Sequence, residues 1–236
     1  MKQIVMLSGA NACGKTAILN WLLPFMQKNN QKISICKFDC VDDSDCKTFQ
    51  KFNIPVASGI SHDICPDHFL VSNFIELYQW SKQKDSDYLF IETAGLCNRC
   101  SPATKNILSL YVIDSTCSTK APSHMGPMLT KADSIILTKI DMISQAEKEI
   151  IYFNIQKENP NAKIFCVDSL SGYGIESIGR FILTKESVDD FDHDSLRHTM
   201  PSGVCSYCLG ERRIGSAYQQ GCVEKIAFQQ EDTCIK

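Results

Sequence analysis

Gly9-Ala10-Asn11-Ala12-Cys13-Gly14-Lys15-Thr16 decides the fold. The stretch matches G-x-x-x-x-G-K-[ST] in full, the pattern of a loop that wraps the phosphates of a nucleoside triphosphate. Its glycines let successive backbone N–H groups turn inward, and the helix that follows adds the positive end of its dipole. Lys15 is expected to reach the β- and γ-phosphates and the Thr16 hydroxyl to ligate Mg²⁺. Gly9, Asn11, Ala12, Cys13 and Gly14 form the turn between them. The apolar run Ile4–Ser8 precedes the loop and a segment of helical spacing, Thr16–Gln27, follows it, which is the context the mechanism requires.

Working outward, further apolar runs read as buried parallel strands: Ile33–Phe38, Tyr88–Glu92, Leu108–Asp114, Ser134–Thr138 and Ile164–Val167. Helical spacing fills the gaps at Phe69–Lys82, Gln145–Glu158 and Ile175–Phe181, and Pro24 predicts a kink or an early end in the first helix. Strand and helix alternate, so the expected fold is α/β, a three-layer P-loop NTPase sandwich around a mostly parallel sheet. From about Glu186 the texture changes, through an acidic stretch to a segment with no clear period. The expected organisation is a nucleotide-binding domain over 1–185 and a cysteine-containing C-terminal tail over 186–236.

Composition limits the function classes. With 236 residues, 44% hydrophobic and 22% charged, the chain can bury a full core. A formal net charge of −3 gives no electrostatic reason to expect nucleic acid or an anionic membrane as a partner. No run is long and apolar enough to cross a bilayer, and the opening residues read as a first strand rather than a signal peptide. A cytoplasmic protein is expected. In that setting the thirteen cysteines point to metal, redox chemistry or buried thiols rather than to a disulfide framework.

Thr138-Lys139-Ile140-Asp141 follows an apolar strand, where guanine-specific NTPases carry [NT]-K-x-D. Asp141 would accept from the N1 and N2 donors of guanine, which adenine does not offer, and Lys139 would lay its stem along the base, so GTP is the expected nucleotide. Asp168-Ser169-Leu170-Ser171-Gly172-Tyr173-Gly174 follows the next strand as a loop whose backbone, at Ser169 and Leu170, would touch guanine O6. Asp39 and Glu92 end two strands at the nucleotide edge; one would hold Mg²⁺ through water and the other orient the attacking water. Gly95 follows Glu92 at the spacing of a γ-phosphate-sensing loop.

The phosphate loop, Ile91-Glu92-Thr93-Ala94-Gly95-Leu96 and Thr138-Lys139-Ile140-Asp141 together resemble the CobW/HypB/UreG nucleotide-binding family, GTPases of the SIMIBI class that deliver or insert metals such as nickel. Asp114 and the run Gly126–Asp133 also resemble the segment ahead of the guanine element in the urease-type members. The resemblance covers about residues 1–185 and implies a homodimer and a metalloenzyme client. Two departures stand out. The CxCC metal motif of CobW-type members is missing, and Ser61–His68 is similar to, but not the same as, the Cys-Pro-His motif of urease chaperones. Ala10 replaces the lysine that marks the phosphate loop of nitrogenase-reductase and partition ATPases.

Cys97-Asn98-Arg99-Cys100 comes directly after the expected γ-phosphate sensor. A C-x-x-C pair offers two thiolates spaced for one Zn²⁺, Ni²⁺ or Cu⁺, or for an iron–sulfur cluster. Two thiolates are half a tetrahedral site. A symmetric dimer would supply the rest, or Cys205-x-x-Cys208 in the tail would do so within one chain, or the tail would hold a site of its own. His62, Cys65 and His68 form a further candidate group, although Pro66 opposes a regular helix through all three. Arg212 and Arg213 offer charge to an acidic partner or a thiolate cluster. The leading reading is a GTP-hydrolysing metallochaperone or metallocofactor-maturation factor, in which GTP closes a homodimer and its nucleotide state controls a thiolate metal site at the dimer interface. The alternatives are a nucleotide-driven iron–sulfur reductase using ATP and a non-catalytic, nucleotide-gated metal-binding regulator.

Overall fold

The computed structural model of the protein describes residues 1–40, 46–95, 100–185, 191, 194–198, 211–215, 217–218, 224–226 and 228, apart from the side chains of 46 and 47. Seven strands form one sheet: β1 (Gln3–Gly9), β2 (Ile33–Asp39), β3 (Val56–Ile60), β4 (Tyr88–Glu92), β5 (Leu108–Asp114), β6 (Ser134–Thr138) and β7 (Lys163–Cys166). Their order is β3-β2-β4-β1-β5-β6-β7 and every pairing between them is parallel. Parallel pairing puts all the carboxyl ends on one edge. Gly9, Asp39, Glu92, Asp114 and Thr138, each the last residue of its strand, therefore gather there.

The helices are α1 (Lys15–Lys28), α2 (Cys46–Gln50), α3 (Pro66–Ser72), α4 (Phe74–Gln83), α5 (Gly126–Thr130), α6 (Gln145–Glu158) and α7 (Ile175–Leu183). Side chains alternate across the sheet, so each strand feeds two cores. Val5, Leu7, Ile35, Phe90 and Leu110 pack with Ile18, Leu19 and Leu22 of α1 and Ile178 and Ile182 of α7. Ile4, Met6, Cys36, Phe38, Leu89 and Ile91 face the other way, onto Phe69, Phe74 and Leu77 of α3 and α4. A third cluster joins Tyr111, Ile113, Ile135 and Leu137 to Ile151 and Ile155 of α6. A capping box starts α6: the Ser144 hydroxyl accepts from the Glu147 N–H, and the Glu147 carboxylate accepts from the Ser144 N–H.

Three elements differ from the sequence expectation. Strand β3, Val-Ala-Ser-Gly-Ile, is too small and polar to register as a buried run. Its Gly59 is needed because a Cβ there would stand 2.6 Å from the Phe38 ring. The stretch expected as one helix over Phe69–Lys82 is two, broken at Asn73. The buried Asn73 amide donates to the Phe69 and Glu224 carbonyls, and its oxygen accepts from the Ile226 N–H. Pro24 neither ends α1 early nor stops it short of Lys28.

The alternation of strand and helix ends near residue 185, but the core does not. Phe191, Leu196 and Ile214 are wholly buried in the cluster under α3 and α4, and Ile226 joins them. Phe191 lies against the rings of Phe74 and Tyr78, and Phe228 stacks on Trp80 with ring centroids 5.3 Å apart. The Asp194 carboxylate accepts from the Lys105 and Asn106 N–H groups. The Arg197 guanidinium donates to the carbonyls of Thr104 and Ile107 and pairs with Asp133 at 2.9 Å. These residues of the tail form part of the domain.

Candidate functional site

The carboxyl edge of β1, β2 and β4 opens into a cavity of about 400 Å³ lined by Asn11, Gly14, Lys15, Thr16, Lys37, Asp39 and Glu92, among others. The loop before α1 is held open by conformations that suit glycine. Gly9 has φ 149°, and a Cβ on it would stand 2.4 Å from the Val112 carbonyl oxygen. Gly14, at φ 102°, caps α1 with no side chain in the way. Asn11 and Ala12 are exposed at the crest of the turn. The Cys13 thiol points into the core, where burial raises its pKa above the ordinary value; such a thiol is inert packing rather than a redox handle. The Cys13 carbonyl accepts from the Thr138 hydroxyl at 2.7 Å, which ties the phosphate loop to the end of β6.

Lys15 is buried, and its ammonium donates to the Gly9 and Ala10 carbonyls at 2.8 and 2.9 Å, across the mouth of its own loop. Gly95 comes down on the same spot. At φ 76°, any Cβ there would lie 1.9 Å from the Gly9 carbonyl oxygen and 2.9 Å from the Lys15 ammonium. The Thr16 hydroxyl donates to Glu92 Oε1 at 2.7 Å, which leaves its lone pairs to a metal. Asp39 lines the cavity, with its carboxylate accepting from the Cys40 N–H at 2.6 Å.

At the far end of the loop the Thr138–Asp141 turn and the Asp168–Gly174 loop converge. A Cβ on Gly14 would meet Thr138 at 3.5 Å and the Ser169 hydroxyl at 3.7 Å. Lys139 is left-handed at φ 54° and its ammonium pairs with Asp114 at 2.5 Å. Burial pushes the Asp114 carboxyl up, but Lys139 and the Thr116 hydroxyl and N–H outweigh it, and the group sits below its ordinary value. Asp141 is exposed in the short turn that follows. The Asp168 carboxylate accepts from the Leu170 and Ser171 N–H groups and from the Ser171 hydroxyl, which fixes the loop; Leu170 itself is 84% exposed.

Two residues absent from the sequence reading belong to this edge. The Trp21 indole donates to the Ser169 carbonyl at 2.9 Å and lies against Gly172, so α1 braces the Asp168–Gly174 loop. Lys37 is buried, with its ammonium 3.6 Å from Glu92 Oε1. A lysine inside an otherwise apolar strand, two residues before Asp39, was the available signal. The arrangement suits a magnesium-bound triphosphate: a glycine cradle that a Cβ would fill, a lysine at its mouth, a threonine hydroxyl on the Glu92 carboxylate, and Asp39 in the wall of the same cavity.

Of the candidate thiols, Cys97, Cys205 and Cys208 lie outside the described residues. Cys100 is buried, with its sulfur 3.9 Å from the carboxylate of Asp67 in α3, and burial raises that carboxyl to about 6. The segment after Glu92 thus meets the segment that begins at Cys65, two motifs that are separate in sequence. Among the described residues no group of three or more His, Cys, Asp or Glu side chains is spaced to hold a metal. His62 is left-handed at φ 49°, Cys65 caps α3, and burial lowers the pKa of the His68 imidazole. The two tail arginines are engaged at home: Arg212 donates to the Leu196 carbonyl, and Arg213 pairs with Glu211 at 2.8 Å.

A parallel α/β sandwich with this loop at the end of its central strand defines a P-loop nucleotide-binding protein. The family model for the CobW/HypB/UreG nucleotide-binding domain matches residues 3–166, and the chain belongs to that family. An uncharacterised protein of Methanocaldococcus jannaschii is 39% identical over 95% of this chain and 96% of its own. The urease accessory protein UreG of Yersinia pestis is 27% identical over 84% of this chain and 92% of its own. Among solved structures, HypB of Helicobacter pylori in complex with nickel has the same fold, with a TM-score of 0.64 at 21% identity over 80% of this chain and 92% of that one. Among the described residues no helix is long and apolar enough to cross a membrane.

Proposed function

We propose that the protein is a GTP-hydrolysing factor that delivers a metal, or helps mature a metallocofactor, for a metalloenzyme client, and that its nucleotide state controls a thiolate metal site. Lys15 and the loop amides hold the triphosphate; Thr138, Lys139, Asp141 and the Ser169–Leu170 turn select guanine. The bond from Thr16 to Glu92 favours Glu92 as the metal-side carboxylate and leaves Asp39 to orient water. Magnesium bound by Thr16 would supply charge neutralisation at the β- and γ-phosphates. Family membership and the H. pylori HypB structure with nickel support a metal cargo.

One observation carries the reading: the same short segment touches both chemistries. Gly95 rests on Lys15 and the Gly9 carbonyl, and five residues later Cys100 is packed against Asp67. A γ-phosphate that displaces Gly95 would act on the chain five residues ahead of Cys100. The burial of Cys100 favours a site within one chain over one shared across a homodimer. So does the return of the tail: the Arg197 N–H donates to the Ala103 carbonyl at 2.9 Å, and the Leu196 N–H to that of Arg212 at 2.8 Å. The stretch that carries Cys205 and Cys208 lies outside the described residues, and its flanks at Arg197 and Arg212 are joined to Ala103 and Leu196. The thiols at Cys13, Cys40, Cys117 and Cys166, which form no disulfide, suit a reducing, cytoplasmic setting.

The test is metal content after anaerobic purification. Wild type is expected to hold metal and to hydrolyse GTP in preference to ATP. The Cys97→Ala/Cys100→Ala and Cys205→Ala/Cys208→Ala double variants should each lose the metal and keep GTP affinity. Unchanged metal stoichiometry in either double variant would reject the shared four-thiolate site.

A further inference from the structure

Glu92 Oε1 receives two groups in the nucleotide cavity. One is the Thr16 hydroxyl at 2.7 Å, and the other is the Lys37 ammonium at 3.6 Å. Lys37 and Glu92 are direct partners across the β2–β4 pairing, and both are almost wholly buried, with side-chain exposures of 8% and 2%. Asp39, two residues further along β2, falls on the same face of the sheet and lines the same cavity. Among the described residues, the charged groups gathered at this point are therefore Lys15, Lys37, Asp39 and Glu92.

A buried lysine in a strand is not a stability device. Stripping an ammonium and a carboxylate of water is costly, and a well-packed apolar pair of the same volume is commonly as stable or more so. What the pair does provide is orientation. Glu92 must hold one rotamer for the Thr16 hydroxyl to donate to it and turn its lone pairs toward the cavity. A carboxylate with a single neutral donor can swing; one also held by an ammonium from the neighbouring strand cannot do so cheaply. Ala10 leaves the phosphate loop with only one lysine, Lys15, so β2 brings the second cation to this end of the cavity.

We propose that Lys37 is a positioning residue for hydrolysis: its ammonium fixes the Glu92 carboxylate, and through it the Thr16 hydroxyl, in the geometry that receives magnesium. The inference rests on the reading of the protein as a GTPase, and its test separates the two. GTP binding would be measured by calorimetry, and hydrolysis followed, across a magnesium titration for wild type, Lys37→Met, Lys37→Gln and Lys37→Arg.

Removing the charge should lower kcat and raise the magnesium needed for half-maximal rate by about 10- to 100-fold, as when an outer partner of a metal ligand is lost. GTP affinity in EDTA should stay within about threefold, because the grip of Lys15 and the loop amides is untouched. Lys37→Arg should recover most of the rate. Thermal melts identify the folded variants, and Lys37→Gln, which keeps a donor toward Glu92, stands in if Lys37→Met does not fold. A folded Met or Gln variant with wild-type rate and magnesium requirement overturns the proposal. So does a uniform loss of GTP affinity in EDTA, which marks a merely structural role. If wild type hydrolyses no GTP, the functional reading fails. The positioning role then still stands or falls on whether the Met and Gln variants need more magnesium for tight GTP binding.

Discussion

The two faces of the sheet are closed in different ways. On the face that carries the phosphate loop, the covering helices α1 and α7 are regular elements with clear apolar spacing, and motifs of four to eight residues mark the nucleotide edge. On the opposite face, α3 and α4 cover only part of the apolar surface. Phe191, Leu196, Ile214 and Ile226 complete it from a tail more than a hundred residues away. The first face is specified locally and the second by long-range packing. Cys100 sits at the seam between them, against Asp67 of α3 and in the cluster that Phe191, Leu196 and Ile214 complete.

If the tail belongs to the core, removing one of its anchors should destabilise the whole domain. Phe191 is fully buried against Phe74 and Tyr78, and Phe191→Ala is expected to cost about 3–5 kcal/mol. Urea unfolding followed by tryptophan fluorescence measures it. A loss below about 1 kcal/mol would make the tail an appendage and erase the contrast between the faces.

Gly95→Ala probes the seam itself. A methyl group 1.9 Å from the Gly9 carbonyl oxygen cannot be accommodated without moving the segment off the loop, and the residue is left-handed besides. Strain and displacement of roughly 3 kcal/mol correspond to about a hundredfold loss of GTP affinity. The domain should still fold, because the clash is relieved at the surface of the cavity. Tight GTP binding by a folded Gly95→Ala protein would break the link between Gly95 and the phosphate loop, and with it the main support for nucleotide control of the thiols.

How much was legible in the sequence follows the same division. The central strands, α1, α6, α7 and the phosphate loop could be read because each is encoded within its own length, as apolar runs, helical spacing or a motif. Strand β3 was invisible because Ser58 and Gly59 carry no strand signal; it exists because Phe38 needs a glycine to lie against. The break at Asn73 was equally hidden, since the partners that hold its side chain, Glu224 and Ile226, are remote in the chain. The same holds for the site. Lys15, Thr16, Asp39, Glu92 and Gly95 were found by motif and strand position, and they line or close one cavity. Lys37, Trp21 and Asp67 were missed, because a side chain that acts by touching another motif has no motif of its own.

Asp114→Asn tests how far local specification extends on the nucleotide face, and its effect should be the smallest of the three. The carboxylate holds the Lys139 ammonium, so the substitution frees a side chain of the Thr138–Asp141 element proposed to select guanine. Asp114 sits below its ordinary pKa in the folded chain, so it adds stability above the ordinary carboxylate value of 3.8, and this is lost as pH falls through the lower folded value. Asp114 and Lys139 are 24% and 34% exposed, so solvent screening keeps the contribution to about 1 kcal/mol or less. Wild type should therefore outlast Asp114→Asn in urea at neutral pH, with the gap narrowing as the solution is acidified below the carboxylate range. A gap independent of pH would mean that the variant loses packing rather than charge. The functional readout is separate. Freed from Asp114, Lys139 should hold the base less well and narrow the preference for GTP over ATP, while phosphate binding through Lys15 stays intact. If discrimination is unchanged while stability falls as described, the pair supports the fold of this edge and Asp141 alone reads the base.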